Sequence, residues 1–250
     1  MQTIIPSTSK ALTSLLRADF TTQWRNRRSV ILVLLVPVII LISWKGVIDK
    51  LGAAFALSNC ITIGLTAVGL MGYSNAIARD RDKGIFQRLR VAPVPVWSIM
   101  ASRLLVQLAM ILLVTTAVFA AGHYIDKVTL TAGAYTMGYL MSIVGGALYL
   151  GLGQAIAGLI KNAETVNSTT RLVYFVFIMV GMFGDLGMLG DTINNIVKWS
   201  PYGAVKHIIS AALQPGTWSS ETSIYLLVTI GYALVFSVLG IKWFKWNSSK

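Results

Sequence analysis

The chain has 250 residues, of which 55% are hydrophobic and only 12% are charged, and its mean hydropathy is +0.70. Soluble domains carry about 25% charged residues, so the composition excludes an ordinary soluble protein and indicates a membrane protein. The net charge of +12 comes from short runs of Lys and Arg beside apolar segments. Membrane topology explains such runs better than nucleic-acid binding does, and no nucleic-acid partner is expected.

The first predicted element is an amphipathic helix over residues 10–28. One face of this helix is apolar, and basic residues stand beside it in the sequence KALTSLLRADFTTQWRNRR. Such a helix lies on a membrane surface, with its cations near lipid phosphates. The sequence therefore predicts membrane lipid as a partner. The apolar face consists of Leu12, Leu15, Leu16, Phe20 and Trp24.

Two predicted membrane spans follow, at 29–48 and 55–78, and a polar stretch separates them from the rest of the chain. This stretch, residues 78–95, reads ARDRDKGIFQRLRVAPVP. We expect a short helix with Asp80 and Asp82 at its start and Arg88 and Arg90 at its end, where they complement the helix dipole, and Pro93 stops it. The apolar side of this helix consists of Ile85, Phe86 and Leu89.

The remaining spans are predicted at 99–124, 134–160, 166–184 and 223–241, because each is close to the ~20 apolar residues that cross a bilayer. The fourth span contains several small residues four positions apart, and we expect most of them to serve packing within the chain. Residues 185–221 are too apolar for a loop and too interrupted for a span, which favours short re-entrant or interfacial helices. The fold class is therefore an all-α integral membrane protein with one transmembrane domain of six spans over residues 1–250.

The distribution of Lys and Arg predicts the orientation. With both termini in the cytoplasm, sixteen of the 21 basic residues lie inside, as the positive-inside rule requires. Residues 79–95 are then cytoplasmic and residues 185–221 are outside. All seven tryptophans fall near predicted span ends, as an aromatic belt requires.

The sequence contains little that could perform chemistry. It has no GxxxxGK[ST] phosphate loop, and His123 and His207 stand apart without metal-ligand spacing. The single cysteine, Cys60, cannot build a disulfide framework within one chain. We predict no catalytic residue, no metal site and no cofactor bound by this chain. In the fifth span, Met179, Met182 and Phe183 offer a polarizable surface that suits a substrate pathway, although a lipid-facing or core stripe fits them equally well.

The stretch after the second span resembles the cytoplasmic motif of type-2 ABC exporter permeases. That motif has an acidic-Arg-acidic triplet, a glycine, an Arg-Leu pair and a Ser/Thr-Pro pair before the next span. Three departures are Ile85 in place of Thr, Gln87 in place of an acidic residue, and Arg103 where a Gly-Lys pair usually supplies lysine. The matching residues are Asp80, Arg81, Asp82, Gly84, Arg88, Leu89 and Ala92-Pro93.

The order of the elements strengthens the resemblance, because a leader helix, six spans and an outer helical region such as 199–213 all recur in that family. The resemblance implies a permease homodimer that contacts two copies of a separate ABC ATPase. ATP and Mg²⁺ would bind to that ATPase, and the motif would be a coupling helix with Phe86 as its main apolar anchor.

The resemblance also implies a cargo class, and it leaves alternatives open. The short outer loops suit the branch that exports drugs, antibiotics or other amphipathic small molecules from the bacterial cell through the inner membrane. A second reading is export of a lipid or a lipid-linked glycan. A third, from another class, is a membrane sensor, scaffold or immunity subunit that uses the same coupling helix without transport.

Overall fold

The computed structural model describes residues 8–91 and 96–243. These residues form α-helices and contain no β-strand, as the composition predicts. A π-helical segment, Ala67–Ser74, joins α4 to α5, and a 3-10 turn, Pro215–Thr217, precedes α12. The α-helices are α1 (Thr8–Arg25), α2 (Arg27–Ser43), α3 (Lys45–Leu51), α4 (Ala53–Thr66), α5 (Asn75–Asp82), α6 (Ile85–Val91), α7 (Val96–Tyr124), α8 (Ala132–Leu159), α9 (Ala163–Asp185), α10 (Asp191–Trp199), α11 (Pro201–Leu213) and α12 (Ser220–Lys242).

Five helical stretches in the described residues are long and apolar enough to cross a membrane. They agree with predicted spans two to six within a few residues at each end, because length and apolarity are properties of the sequence alone. The protein is thus a multi-pass membrane protein. The five stretches are Ala53–Asp82, Trp97–Tyr124, Ala132–Leu159, Ala163–Gly184 and Ser220–Lys242.

The first predicted span, 29–48, is interrupted near its end, and whether it crosses the membrane stays a prediction. α2 ends at Ser43, and a separate helix, α3, begins at Lys45. The break folds the Trp44 ring back onto Phe55, with the two ring centroids 6.3 Å apart. At 17 residues, α2 is short for a span, although it reaches span length when counted together with α1 across a bend.

The second span is the centre of the bundle. An apolar stretch of 18 residues within Ala53–Asp82 is 89% buried, whereas the corresponding stretch within Ser220–Lys242 is 17% buried. Two of its hydroxyl groups are satisfied within the helix, since Thr62 and Thr66 donate to carbonyls four residues earlier at 2.7 Å. A span that is wrapped by other helices can therefore carry polar side chains without exposing them to lipid.

The small residues of α8 serve packing within the chain, which confirms the expectation for the fourth span. A Cβ atom at Gly153 would collide with the backbone of Gly69 in the π segment. On another side of α8, a Cβ at Gly158 would lie 2.9 Å from the carbonyl oxygen of Gly240 in α12. Glycine at these positions lets the backbones of three helices approach closely.

The region 185–221 contains two short helices, α10 and α11, and α11 packs deep in the bundle. Most of its residues are buried against α4, α8 and α12. The Tyr202 hydroxyl donates to Asn59 Oδ1 at 2.9 Å, and Lys206 is 6% exposed, with Nζ lying 4.6 Å from the centroid of the Phe55 ring. Polar groups thus help to hold α11 against α4.

The leader helix α1 packs against α7. Ala11 is buried, whereas Phe20 and Trp24 of the predicted apolar face are about half exposed and stack on each other at 6.0 Å. The basic residues Lys10 and Arg17 are exposed. The helix therefore keeps an apolar strip and cations accessible, and its contact with membrane lipid stays a prediction.

Candidate functional site

The residues predicted to form one short helix after the second span are divided between the end of that span and a separate helix. Asp80 and Asp82 belong to the last turn of α5, and a second helix, α6, begins at Ile85. Gly84 separates them with a φ of +66°, a left-handed conformation that glycine adopts without steric cost. The prediction that the two aspartates begin the short helix is wrong, because the second span continues as a helix as far as Asp82. The side of the bundle that carries this segment is called the motif side.

Arg81 holds the segment to the end of α8. Its side chain is 1% exposed, and Nη1 donates to the carbonyl oxygen of Ala157 at 2.6 Å. Nη2 donates to the carbonyl oxygens of Ile160 and Lys161, both at 2.7 Å. The last carbonyls of a helix have no partner within the helix and attract cations, so Arg81 caps the C-terminus of α8.

Asp80, Arg103 and Phe86 form a second connection, from the segment to α7. Arg103 Nη1 donates to Asp80 Oδ2 at 2.6 Å, and the two side chains are 10% and 23% exposed. The Arg103 guanidinium lies over the Phe86 ring, 4.7 Å from its centroid, and Phe86 itself is fully buried. This ion pair and cation–π contact fix α5 and α6 against the start of α7.

Those side chains of the segment that the structure describes as exposed are polar. Asp82 and Lys83 precede the glycine turn, and Gln87 and Arg88 lie on α6. A protein that bound this surface in its present form would touch these side chains and not Phe86. The assignment of the motif residues to ATPase contact stays a prediction; the side chain of Leu89, and Pro93 altogether, lie outside the described residues.

The leader helix α1 contacts the group formed by Asp80, Phe86 and Arg103, which is called the motif cluster. Ser102, next to Arg103 on α7, donates a hydrogen bond to Asp19 Oδ2 of α1. Between α1, the second span and α7 lies a polar cavity of about 50 Å³. Among the described residues, Arg103 Nε and Gln107 Oε1 have no protein partner and are buried, and a cavity of this size has room for a bridging water. The sequence analysis did not predict a role for Asp19, whose signal in the sequence is that it is an acidic residue in an otherwise basic helix.

An amphipathic cavity of about 610 Å³ opens between α2, the π segment, α5 and α9. One part of its wall is apolar and includes Leu32, Val36 and Met71. The other part is polar, and it includes Asn75, whose Oδ1 atom is buried without a partner in the described residues. The remaining polar wall residues are Asn26, Arg79, Glu164, Asn167 and Arg171.

The three residues predicted for a substrate pathway lie elsewhere on α9. Met179, Met182 and Phe183 are half-buried, and they do not line the amphipathic cavity. Their end of α9 packs closely on α10 and α11, since a Cβ at Gly184 would lie 2.9 Å from the Val197 side chain. Their role in transport stays a prediction.

No group of three or more His, Cys, Asp and Glu side chains that could hold a metal occurs in residues 8–91 and 96–243. No curated protein matches the chain. A family comparison, however, matches the ABC-2 type transporter over residues 10–214, which is most of the chain and includes the Arg81 cap, the Asp80–Arg103 pair and α11. Permeases of this family work with an ABC ATPase as their partner. With its multi-pass helical bundle and this match, the chain belongs to the ABC-2 type transporter family and is the membrane permease subunit of an ABC transporter.

Proposed function

We propose that this permease exports amphipathic small molecules, such as drugs or antibiotics, through a bacterial inner membrane. It works as a homodimer with two copies of a separate ATPase subunit, which binds ATP and Mg²⁺. Both termini and the motif side are cytoplasmic, in agreement with sixteen of 21 basic residues lying there in the six-span topology.

The observation that carries the proposal is the amphipathic cavity. Its volume of about 610 Å³ falls in the range of small-molecule sites, roughly 300–1,000 Å³. Leu32, Val36 and Met71 offer an apolar wall, while Arg79 and Arg171 offer cations at the polar wall. A molecule with an apolar body and a polar group that accepts hydrogen bonds fits this division.

The contacts of the motif explain how energy could reach the spans. In this proposal the ATPase touches the exposed side chains of Gln87 and Arg88. Arg81 ties the segment to α8 through three hydrogen bonds, and Arg103 ties it to α7. Movement of the segment is then transmitted to α7 and α8, because these buried contacts leave little freedom between the parts.

The apolar faces of α2 and α9 suit a contact with a second permease. Each of these helices keeps a stripe of large apolar side chains exposed, and in the family a dimer contact usually involves spans one and five. Such exposed stripes face lipid unless a partner covers them. The stripes are Ile31, Leu35, Ile39 and Ile42 on α2 and Leu172, Phe175, Val176 and Val180 on α9.

The test is transport by the permease reconstituted with its ATPase in nanodiscs and vesicles. Leu32→Trp should narrow the amphipathic cavity and change which amphipathic cargoes stimulate ATP hydrolysis, with dimer formation checked by size-exclusion chromatography. Leu227→Trp is the matched control, because Leu227 is 68% exposed on α12 and lies outside the cavity. If Met182→Trp changes cargo preference and Leu32→Trp does not, the pathway follows the residues predicted from sequence instead.

The same assay separates the alternatives. Stimulation by lipids or lipid-linked glycans, and not by small amphipathic molecules, would identify a lipid or glycan exporter. Hydrolysis that no cargo stimulates, together with an intact complex, would identify a sensor, scaffold or immunity subunit.

A further inference from the structure

An apolar groove of about 750 Å³ lies between α7, α8 and α12. Its lining includes no residue of α2 or α9, so it is separate from the amphipathic cavity. The wall from α7 contains Trp97, Leu104, Leu108 and Ile111. These residues recur at helical spacing along one face of α7, which makes the groove a continuous apolar trough along the helix.

Two of the few polar groups of the groove form a hydrogen bond with each other. At its floor the Tyr73 hydroxyl donates to Gln154 Oε1 at 2.8 Å, and this bond is buried. No charged side chain contributes to the lining. A ligand with polar groups along its length would lose hydrogen bonds to water without replacing them, whereas a hydrocarbon chain loses nothing.

The depth of the groove matches one leaflet of a membrane. Trp97 and Ile241 lie at the motif-side ends of α7 and α12, while Ile111 and Ile143 lie near the middle of their spans. The distance along α7 from Trp97 to Ile111 is about 21 Å at 1.5 Å per residue. Half of a bilayer with its headgroup region is about 20–22 Å thick, so the groove reaches from the membrane surface to the bilayer centre.

We infer that this groove binds an acyl chain of a phospholipid from the leaflet on the motif side. All three helices of its wall are candidate membrane spans, so lipid hydrocarbon is the medium on its open side. At the surface end, Trp97 is 58% exposed and Lys242, next to Ile241, is also exposed. An aromatic ring and a cation at this level suit the ester and phosphate groups of the lipid.

The bound acyl chain would lie against Tyr73, which connects the groove to the motif cluster. Tyr73 lines both the groove and the polar cavity beside Asp80 and Arg103. The acyl chain therefore supports the wall that separates membrane hydrocarbon from the ion pair of the segment. This role is independent of which cargo the permease moves.

The experiment uses the purified full chain in vesicles of phosphatidylethanolamine and phosphatidylglycerol that contain a phospholipid with a diazirine in the middle of one acyl chain. After illumination, mass spectrometry locates the labelled residues. Ala147→Trp fills the groove, because Ala147 is exposed and lines it. Ala109→Trp is the matched control, since Ala109 is an exposed alanine on α7 that does not line the groove.

In the wild-type chain, labels should concentrate on groove residues of α7, α8 and α12. Because the indole ring takes the space of the acyl chain, groove labelling in Ala147→Trp should fall to the level of the other lipid-facing helices, and Ala109→Trp should leave it unchanged. Wild-type labels spread evenly over all lipid-facing helices would overturn the inference without any variant. So would equal groove labelling in both variants. None of these readouts requires ATP or cargo, so they are independent of the proposed export function.

Discussion

Replacing Arg81 with methionine removes the cap of α8 while keeping a long side chain in its place. The three carbonyl oxygens that Arg81 binds then lose their donors. Hydrogen bonds to charged groups contribute about 1.5–3 kcal/mol each, so the sum over the three bonds is the upper bound on the loss of stability. Lys161 is exposed and water can replace that bond, so we expect the free energy of unfolding to fall by about 3 kcal/mol, at the low end for a broken buried charge contact.

The single cysteine provides the assay. Cys60 is fully buried in the second span, so a fluorogenic maleimide reacts with it only when the bundle opens. For a chain of this size, a loss of about 3 kcal/mol lowers the midpoint of thermal unfolding, followed by this reaction, by roughly 6–12 °C. Arg88→Met, which changes an exposed arginine of the same segment, should leave the midpoint nearly unchanged.

Arg81→Lys tests the geometry of the cap separately from its charge. A lysine ammonium keeps the cation but cannot span the three carbonyls with a planar fork, so its midpoint should lie between those of the wild type and Arg81→Met. If Arg81→Met melts at the same temperature as Arg88→Met, the cap does not stabilise the bundle and the reasoning from burial fails.

Two further predictions concern the motif. Because Phe86 is fully buried, Phe86→Ala should lower the stability of the permease itself by up to about 3–5 kcal/mol, measured with the same thermal assay. Arg88→Ala should keep the thermal midpoint and reduce co-purification of the ATPase. A Phe86→Ala permease as stable as the wild type would contradict this prediction. Single cysteines introduced as Gln87→Cys and Ser219→Cys in a Cys60→Ala background should react with an impermeant maleimide from opposite sides of the membrane, and labelling from one side would contradict the six-span topology.

The helical spans were predictable from the sequence because crossing a bilayer is a requirement on length and apolarity. A run such as Ser220–Lys242 satisfies it whatever its neighbours are. The turn at Gly84 was missed, because the charge pattern predicted one helix from Asp80 to Arg90, whereas Gly84 adopts a φ of +66° and separates two helices. The break at Trp44 was missed as well, because the local sequence does not show that the Trp44 ring stacks on Phe55 of α4.

Composition and the order of the segments were enough to identify a helical membrane protein with a charged segment after its second span. What the side chains of that segment do depends on how the helices pack. Arg81 binds carbonyls 76 to 80 residues away, and Asp80 meets Arg103 at a separation of 23 residues. Only the packing of α5 against α7 and α8 brings these groups together. A motif arginine that reads as a partner contact in sequence therefore becomes a buried helix cap, since burial is a property of the folded bundle.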